Sequence, residues 1–600
     1  MMPSPVRAFA VAAILTAAAS SRATAGPEIL KFSELHTGMT GVGRTVFHGD
    51  TIETFNVEIV GLLPNIGPGQ DLILGRCTGG PLERTGILAG MSGSPVTIDG
   101  KLVGAVAYSW GFSKEAIAGI TPIDEMLRVG KRDGAAPRRR GAATAMPWGE
   151  ALKKAGAPST LSAFLLSRLV ALDARPAGAM AALPLSVSGL DPVGLARIAP
   201  ELARVGFVPL QSGGLGAQNA ASPPRLQAGS AVGIKLVRGD LDMTATGTVT
   251  YVDGDGVFAF GHPLYGLGDV DMPMTAARVE TILPSIEQSS KIAVPLKDVG
   301  AFRQDRAAAI FGRLGASPSM IPVRLQLQDG AGAQRSFAFD LVDDPLLSPL
   351  LLYMAMNGVL GAAERAFGSA TLRVQEGSVI KVEGATDVRL DNLFAGDSAA
   401  GDASALSAFL LYLVMNNPWS TPHVGGVNLI LDYDREPRTA ALRRVSLDRY
   451  RVKAGSSVNA SIVLATYRGA DRVITREIVI PEETPDGPLT LQFGDAAAMN
   501  RAEDSDAPNA PRSLEQLVAL VNRLKRNDRL YILALRGDNG VYLGGARLQN
   551  LPPSVASILT RPRSFGNYTF VPERGLLEDD VPADAAVDGF VRVSLEVGGP

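Results

Sequence analysis

The chain has 600 residues, more than one hydrophobic core usually supports, so its length predicts three or four domains. Hydrophobic residues make up 46% and charged residues 20%, and the 66 glycines and 40 prolines favour many short strands and turns over long helices. The net charge of −3, with no basic stripe interleaved with aromatic residues, argues against nucleic-acid binding.

The N-terminus has the three parts of a secretory signal in the right order. Arg7 precedes an apolar run over residues 8–19, and Ala23-Thr24-Ala25 forms an A-x-A site before Gly26. We expect residues 1–25 to be a signal peptide and the mature protein to be exported, to the periplasm or the extracellular space. A retained anchor is the alternative, but the run is short for a span, and no later segment predicts one.

Residues 26–130 predict a β-rich module. Its strands lie between turns, and a loop with the sequence Gly-Met-Ser-Gly-Ser-Pro, residues 90–95, precedes a hairpin turning at Asp99-Gly100. Thr121 and Pro122 predict a helix that closes the module, with Thr121 as N-cap and Pro122 at the first helical position. The predicted strands are 45–47, 55–60, 71–74, 96–98 and 101–108.

A linker and helical spacer over residues 131–225 leads to a second β-rich module, residues 226–343. The spacer predicts a helix near residues 161–172, and the second module contains an apolar strand that runs into Phe260-Gly261-His262. Residues 39–47 and 243–251 share the pattern Met-Thr-x-x-Gly-x before a β-branched and aromatic strand. Two related β-barrels would produce such an echo, and so would chance.

The remaining chain predicts a helix and strand region, residues 344–438, and a β-sandwich-like region, residues 439–600. Residues 350–357 and 409–416 are apolar on nearly every face, which predicts two buried helices. Residues 457–464 and 472–480 alternate as an antiparallel sandwich would. Ser513 predicts a cap for a helix that runs through Arg526, with strands resuming at Leu530 and Val541.

Cys77 is the only cysteine in the chain. A lone cysteine excludes an intramolecular disulfide and a cysteine-rich metal site, and we expect neither a metal nor another cofactor. No histidine lies near it in the sequence, so a buried small hydrophobe is the expected role.

Ser92 is the candidate nucleophile, because its flanking glycines permit a tight turn that exposes a hydroxyl beside backbone N–H donors. The backbone around Gly90, Met91 and Ser92 would then form the oxyanion hole. The alternative is that this stretch is simply a loop before a hairpin.

A serine nucleophile needs a base, normally a histidine held by an acid. The chain has four histidines: His36 and His423 lie in loops with no acid beside them, and His48 lies in an ordinary turn. His262 alone follows an apolar strand, so it is the candidate base, with a structural turn residue as the alternative.

Residues 55–108, with the Gly-Met-Ser-Gly-Ser-Pro loop at their centre, resemble the serine-bearing half of the SpoIVB-type serine peptidases, a family of the chymotrypsin-like clan. Residues 233–315, with Phe260-Gly261-His262, are similar to the histidine-bearing half. The resemblance implies a mainly β fold with a chymotrypsin-like double β-barrel built from two separated halves, followed here by the C-terminal α+β region with its antiparallel β-sandwich. It also implies a protein or peptide substrate, Ser92 as nucleophile and His262 as general base.

Two departures from the family bear on activity. Ser92 precedes His262 by 170 positions, so the two halves stand in permuted order, which catalysis tolerates because it depends on geometry alone. The family's acid position is occupied by Cys77, and losing the acid of a triad lowers the rate by about four decades. Asp269, then Asp271, then Asp71 are the substitutes considered.

The sequence therefore supports an exported serine endopeptidase that acts on a protein substrate or on itself. The alternative is an inactive, peptidase-like envelope scaffold or protein-binding module. The oligomeric state is not predicted.

Overall fold

The computed structural model describes residues 28–131, 145–170, 183–213, 224–330, 332–363, 369–500, 510–543, 546–548, 551–559 and 568–598. The chain is mainly β, as the sequence predicts. The predicted signal peptide, residues 1–25, and residues 132–144 of the predicted linker lie outside the described residues. None of the helices within the described ranges is long and apolar enough to cross a membrane.

The first module is a closed six-stranded antiparallel barrel, which we call the first barrel. Its strands are β1 (Thr40–His48), β2 (Thr51–Gly67), β3 (Gln70–Thr78), β4 (Pro95–Ile98), β5 (Lys101–Tyr108) and β6 (Ile117–Pro122). They pair in the cyclic order β1-β2-β3-β6-β5-β4. Asp99 and Gly100 both have positive φ, at 49° and 78°, which gives the tight hairpin turn between β4 and β5 that the sequence predicts. Helices α1 (Leu82–Thr85) and α2 (Ile123–Gly130) complete the module.

The second β-rich module contains a second ring of six strands, which we call the second barrel. Its strands are β9 (Ala231–Gly239), β10 (Asp242–Asp253), β11 (Gly256–Ala259), β12 (Gly268–Leu283), β13 (Ser290–Arg306) and β14 (Ala309–Leu314). The pairing of β9 with both β10 and β12 closes the ring in the order β9-β10-β11-β14-β13-β12. When the strands of each barrel are numbered from one, both barrels have the cyclic order first, second, third, sixth, fifth, fourth. The two barrels therefore share one topology, and the double-barrel prediction is confirmed.

The sequence echo does not mark equivalent strands of the two barrels. Residues 39–47 lie on β1, the first strand of their barrel, whereas residues 243–251 lie on β10, the second strand of theirs. The shared pattern therefore does not reflect a common position in the topology.

The spacer and the helix and strand region both extend the sheet of the second barrel. Spacer strand β7 pairs with β10 on one side and with β8 on the other, and β16 pairs with β9. The spacer elements are α3 (Trp148–Ala155), α4 (Leu161–Val170), β7 (Leu183–Ser188), α5 (Pro192–Arg204) and β8 (Phe207–Gln211). The later elements are β15 (Met320–Asp329), β16 (Gln334–Val342), α6 (Leu347–Ala363), β17 (Ala370–Val374), β18 (Val379–Val382), β19 (Val388–Arg389), β20 (Asn392–Gly396), α7 (Ala399–Met415) and β21 (Val424–Asp434).

Helices α6 and α7 are buried in the largest hydrophobic core that the described residues form, together with strands of the second barrel. This confirms the prediction of two buried helices from residues 350–357 and 409–416. Their apolar surface on every face is explained by the sheet and helices that cover them.

The C-terminal region is a sandwich of two sheets with its own core. Two of its pairings, β22 with β30 and β23 with β31, are parallel, and the others are antiparallel. Its strands are β22 (Thr439–Leu447), β23 (Arg451–Val452), β24 (Ser457–Thr466), β25 (Arg472–Val479), β26 (Gly487–Gly494), β27 (Arg529–Leu543), β28 (Ala546–Leu548), β29 (Tyr568–Pro582), β30 (Ala586–Asp588) and β31 (Phe590–Val597). The region also holds α8 (Leu514–Val521) and α9 (Pro553–Leu559).

Two predicted helix boundaries differ from the structure. Thr121 is not an N-cap: it belongs to β6, and α2 begins at Ile123 after Pro122. Strand pairing of β6 with β3 and β5 overrides the local capping signal. Ser513 does cap α8, accepting a hydrogen bond from Gln516 N–H, but the helix ends at Val521 and not at Arg526.

Candidate active site

The Gly-Met-Ser-Gly-Ser-Pro stretch, residues 90–95, forms a tight, buried turn that we call the serine loop. Gly90 and Gly93 both have a φ of 96°, a conformation that favours glycine. Met91 N–H donates to the Leu88 carbonyl at 3.0 Å and Ser94 N–H donates to the Met91 carbonyl at 2.8 Å. Met91 N–H is therefore engaged within the turn, whereas no hydrogen bond from the described residues occupies the N–H groups of Gly90 and Ser92.

Strand β10 of the second barrel holds the serine loop in place. Thr248 N–H donates to the Ser92 carbonyl at 2.8 Å, and its hydroxyl donates to the Gly90 carbonyl at 3.0 Å. The Thr250 hydroxyl donates to the Gly93 carbonyl at 2.8 Å. The contact is close: a Cβ at position 93 would lie 1.9 Å from the Thr248 carbonyl oxygen. The conformation of the serine loop therefore depends on the second barrel.

His262 lies on the turn that follows β11, and both barrels fix this turn. Phe260 and Gly261 have φ values of 69° and 71°, and a bulky residue at positive φ is a strained conformation that clusters at functional sites. The Thr121 hydroxyl, from β6 of the first barrel, donates to the Gly261 carbonyl at 2.6 Å. Phe260 N–H reaches the Thr248 carbonyl at 3.3 Å. The threonine expected to cap a helix thus anchors the histidine turn instead.

The structure brings Ser92 and His262 to the same seam between the barrels. Gly93 N–H donates to the Val106 carbonyl on β5, and the His262 ring lies beside Tyr108 on the same strand, with ring centroids 6.0 Å apart. Both candidate side chains are buried, at 7% and 1% exposure. None of the hydrogen bonds among the described residues involves the Ser92 hydroxyl, so no direct bond joins the two candidate side chains.

The tautomer of His262 follows from its hydrogen bond. Nδ1 lies 2.8 Å from the Pro263 carbonyl oxygen, and a carbonyl can only accept. Nδ1 therefore carries the proton, and in the neutral ring Nε2 carries the lone pair of a general base.

The three substitute acids are engaged elsewhere. The Asp269 carboxylate is bound by Arg306 at 2.7 Å, and the Asp271 carboxylate is bound by Arg303 and accepts from Ser319 N–H. Asp71 accepts from Asn65 N–H at 2.8 Å. Each of these carboxylates therefore has a partner other than His262, and the role of acid at these positions stays a prediction.

Asp305 is a residue of this site that the sequence analysis missed. Its carboxylate is 1% exposed and accepts from the N–H groups of Leu264, Tyr265 and Leu267, at 2.7, 3.0 and 2.9 Å. These residues form the turn directly after His262. Since the partners are backbone groups some 40 positions earlier in the chain, no side-chain pattern marks the pairing.

Lys291, on β13, lies beneath the serine loop and is fully buried. Its backbone N–H donates to the Ala89 carbonyl, and its stem would lie 3.2 Å from a Cβ at position 90. Its Nζ donates to the Thr45 hydroxyl at 2.7 Å, and no carboxylate of the described residues is within ion-pair distance. Burial lowers the pKa of Lys291 to about 7.

Cys77 occupies the core of the first barrel, as expected of a small buried hydrophobe. Burial raises the pKa of its thiol to about 12, so the thiolate is scarce at neutral pH. We expect Cys77 to resist a maleimide in the native protein and to react fully in denaturant. A Cys77→Ala, Ser113→Cys variant, whose new thiol lies on an exposed loop, serves as the reactive control. Equal native reaction rates in the two proteins would contradict the burial of Cys77.

Within the described ranges, no three histidine, cysteine, aspartate or glutamate side chains are grouped as metal ligands would be.

Comparison with protein-family models identifies the serine-bearing stretch. Residues 15–127 match the family described as SpoIVB peptidase S55, which confirms the resemblance over this part of the chain. The match includes Ser92 and Cys77 and ends before His262, so the assignment of residues 233–315 to the same family, and the permuted order, stay predictions. Comparisons with curated proteins and with solved structures found no match.

Proposed function

We propose that this chain, whose residues 15–127 match the SpoIVB peptidase family, is a serine endopeptidase with Ser92 as nucleophile and His262 as general base. The observation that carries the proposal is the attachment of the serine loop to β10, since the same barrel presents His262 three residues after the end of β11. A generic loop before a hairpin would need neither three hydrogen bonds from another module nor a strained turn beside it.

In the proposed reaction, Ser92 Oγ attacks the carbonyl carbon of a peptide bond while His262 Nε2 takes the hydroxyl proton. The carbonyl π electrons move to the oxygen, and the resulting oxyanion accepts hydrogen bonds from the N–H groups of Gly90 and Ser92. The imidazolium then gives its proton to the leaving amine as the C–N bond breaks. Water, activated by the same imidazole, hydrolyses the acyl-enzyme and restores Ser92.

Substrate binding has to bring the two side chains into hydrogen-bond contact. Catalytic hydrogen bonds of unliganded enzymes are often long and tighten in the complex with substrate. A peptide carbonyl that accepts from Gly90 and Ser92 N–H would draw the serine loop and the histidine turn together. A protein substrate, export through the signal peptide, a periplasmic or extracellular location and cleavage of the chain itself are parts of the same proposal.

The second candidate function is a non-catalytic scaffold that retains the double barrel. The observation that favours it is Cys77, a thiol buried in the barrel core at the position where the family carries its acid. A scaffold would retain the packing of the serine loop without its reactivity.

Labelling of the mature protein by a fluorophosphonate, which reacts with activated serines, separates the two. We expect the parent to be labelled, Ser92→Ala not at all, and His262→Ala at least about 1,000-fold more slowly. Ser94→Ala is the matched control, because Ser94 lies in the same loop and its buried hydroxyl has no hydrogen-bond partner among the described residues. It should be labelled as the parent is. A folded parent that stays unlabelled would refute the peptidase and favour the scaffold.

A further inference from the structure

One peptide group in the histidine turn is hydrogen-bonded on both of its sides. The carbonyl oxygen of Pro263 accepts from His262 Nδ1 at 2.8 Å, and the N–H of the same peptide unit, which belongs to Leu264, donates to Asp305 Oδ1 at 2.7 Å. The carboxylate and the imidazole are thus linked through a single planar, conjugated amide.

The carboxylate end of this link is firmly held. Asp305 is 1% exposed, and its second oxygen accepts from Tyr265 and Leu267 N–H. Hydrogen bonds from backbone N–H groups to a carboxylate are charge-assisted and stronger than those between neutral groups. A buried carboxylate with three such donors fixes the backbone of the turn that carries the Pro263 carbonyl.

We propose that Asp305 is the positioning residue for His262 and acts through the Pro263–Leu264 peptide group in place of the acid lost at Cys77. The inference rests on the proposed function, because positioning matters only if His262 serves as a base. Asp305 does not touch substrate or the reacting atoms, so it is not a catalytic residue.

The acid of a serine-protease triad holds the imidazole in the correct tautomer and stabilises the imidazolium. The Pro263 carbonyl can hold the imidazole in the correct tautomer, because it accepts from Nδ1 and leaves Nε2 as the base. Asp305 strengthens that carbonyl as an acceptor, since hydrogen bonds in a chain polarise one another. Its negative charge, one peptide group away, favours the imidazolium. The effect should be weaker than that of a carboxylate in direct contact with the ring.

The location of the other acidic residues supports this choice. Asp269 is on the adjacent strand β12, but Arg306 neutralises it. The Asp305 carboxylate binds N–H groups of the turn that carries the histidine. Through Leu264 N–H it binds the same peptide group whose carbonyl accepts from His262 Nδ1.

Asp305→Asn tests the proposal through the pH dependence of fluorophosphonate labelling. The variant keeps the shape of the side chain, removes the charge and directs an NH₂ group toward N–H donors. We expect the labelling rate to fall about 10- to 100-fold, as for other groups that orient a functional histidine. We also expect the acid limb of the pH–rate profile to move to lower pH, because the imidazolium loses a nearby negative charge. Tyr108 and the Asp269–Arg306 pair are unchanged and cannot cause this shift.

Asp344→Asn is the matched control. Asp344 also binds two backbone N–H groups, those of Leu346 and Leu347, but at the start of α6. We expect Asp344→Asn to leave the midpoint of the pH–rate profile unchanged. The proposal is overturned if Asp305→Asn behaves as the parent, if it is slower with no shift in midpoint, or if Asp344→Asn shifts the midpoint equally. A parent that is folded but not labelled would be a failure of the peptidase itself, which is a distinct result.

Nitrogen-15 NMR of histidine-labelled protein provides a second test that requires neither activity nor a folded Asp305 variant. The chain has four histidines, so the His262 signals can be assigned by their absence in His262→Gln. We expect the parent to show His262 protonated at Nδ1 in the neutral form. Protonation at Nε2 would overturn the proposal.

Discussion

Gly93→Ala should detach the serine loop from the second barrel. The new Cβ would lie 1.9 Å from the Thr248 carbonyl oxygen and 2.5 Å from Phe260 N, and both are backbone atoms that cannot rotate away. Alanine at a φ of 96° is also strained in itself. The loop can relieve the clash only by giving up its hydrogen bonds to Thr248 and Thr250. We expect the free energy of unfolding to fall by about 3 kcal/mol or more, and fluorophosphonate labelling to fall at least about 100-fold.

Gly38→Ala measures the cost of alanine at positive φ without the clash of its Cβ with neighbouring backbone atoms. Gly38 has a φ of 91°, close to that of Gly93, and nothing lies within 4 Å of its Cβ position. We therefore expect the Gly38→Ala variant to lose only about 1–2 kcal/mol of unfolding free energy, as expected for alanine at positive φ. We expect it to be labelled as fast as the parent. Both quantities can be measured on purified variants by denaturant titration and by labelling rate. Equal losses in the two variants would mean that the contact between the serine loop and β10 has no special role.

The elements of the two barrels could be predicted from sequence because their signals are local. Alternating strands, glycine turns and the Asp99-Gly100 hairpin each depend on residues close together in the chain. The same holds for the serine loop, where the types of six consecutive residues indicate a tight turn. The pairing of β9 with β10 and β12, which closes the second barrel, joins segments that no local pattern relates.

Thr121 shows why a correct local signal can still give the wrong element. A threonine before a proline and two acidic residues is a good helix start, and α2 does follow. Pairing with β5 extends β6 through Pro122, and the Thr121 hydroxyl donates instead to the Gly261 carbonyl, 140 positions away. Tertiary strand pairing therefore overrides the local helix signal.

The sequence could not predict that Asp305 binds the histidine turn, and the reason differs from that for Thr121. Asp269 and Asp271, two of the predicted substitutes, follow His262 closely in the sequence. Both are on β12, yet arginines on β13 bind them. The carboxylate that reaches the histidine turn comes from β13 itself and binds backbone N–H groups, whose identity no side chain encodes.

Lys291→Met should make the protein more stable at neutral pH, although it removes a hydrogen bond to Thr45. The Lys291 ammonium is fully buried, and burial lowers its pKa to about 7 although the charge of Glu53 and the Phe47 ring, 6.0 Å from Nζ, both favour the charged form. Folding therefore has to desolvate the charge or release the proton, and either costs free energy. Methionine has a similar length and can keep the stem packed beneath Gly90. We expect the free energy of unfolding at pH 7 to rise by roughly 1–3 kcal/mol.

The burial of Lys291 also predicts how the free energy of unfolding changes with pH. Between pH 7 and the ordinary lysine pKa near 10.4, the unfolded chain holds the Lys291 proton and the folded chain does not. Raising the pH in this window therefore stabilises the parent, by on the order of 1 kcal/mol per pH unit at most. Lys291→Met lacks this contribution, so its advantage over the parent should shrink steadily as the pH rises. Denaturant titrations of both proteins at pH 7, 8 and 9 measure the difference.

Lys235→Met distinguishes an isolated buried ammonium from a paired one. Lys235 is 8% exposed, and its Nζ lies 3.2 Å from Asp298 and 3.8 Å from Asp242. Removing it takes the Lys235 ion pair from Asp242 and leaves Asp298 paired with Arg238, so this variant should lose about 3 kcal/mol where Lys291→Met gains. If both variants are destabilised alike at pH 7, the Thr45 hydrogen bond outweighs the desolvation of Lys291. In that case the buried Lys291 side chain would stabilise the folded protein.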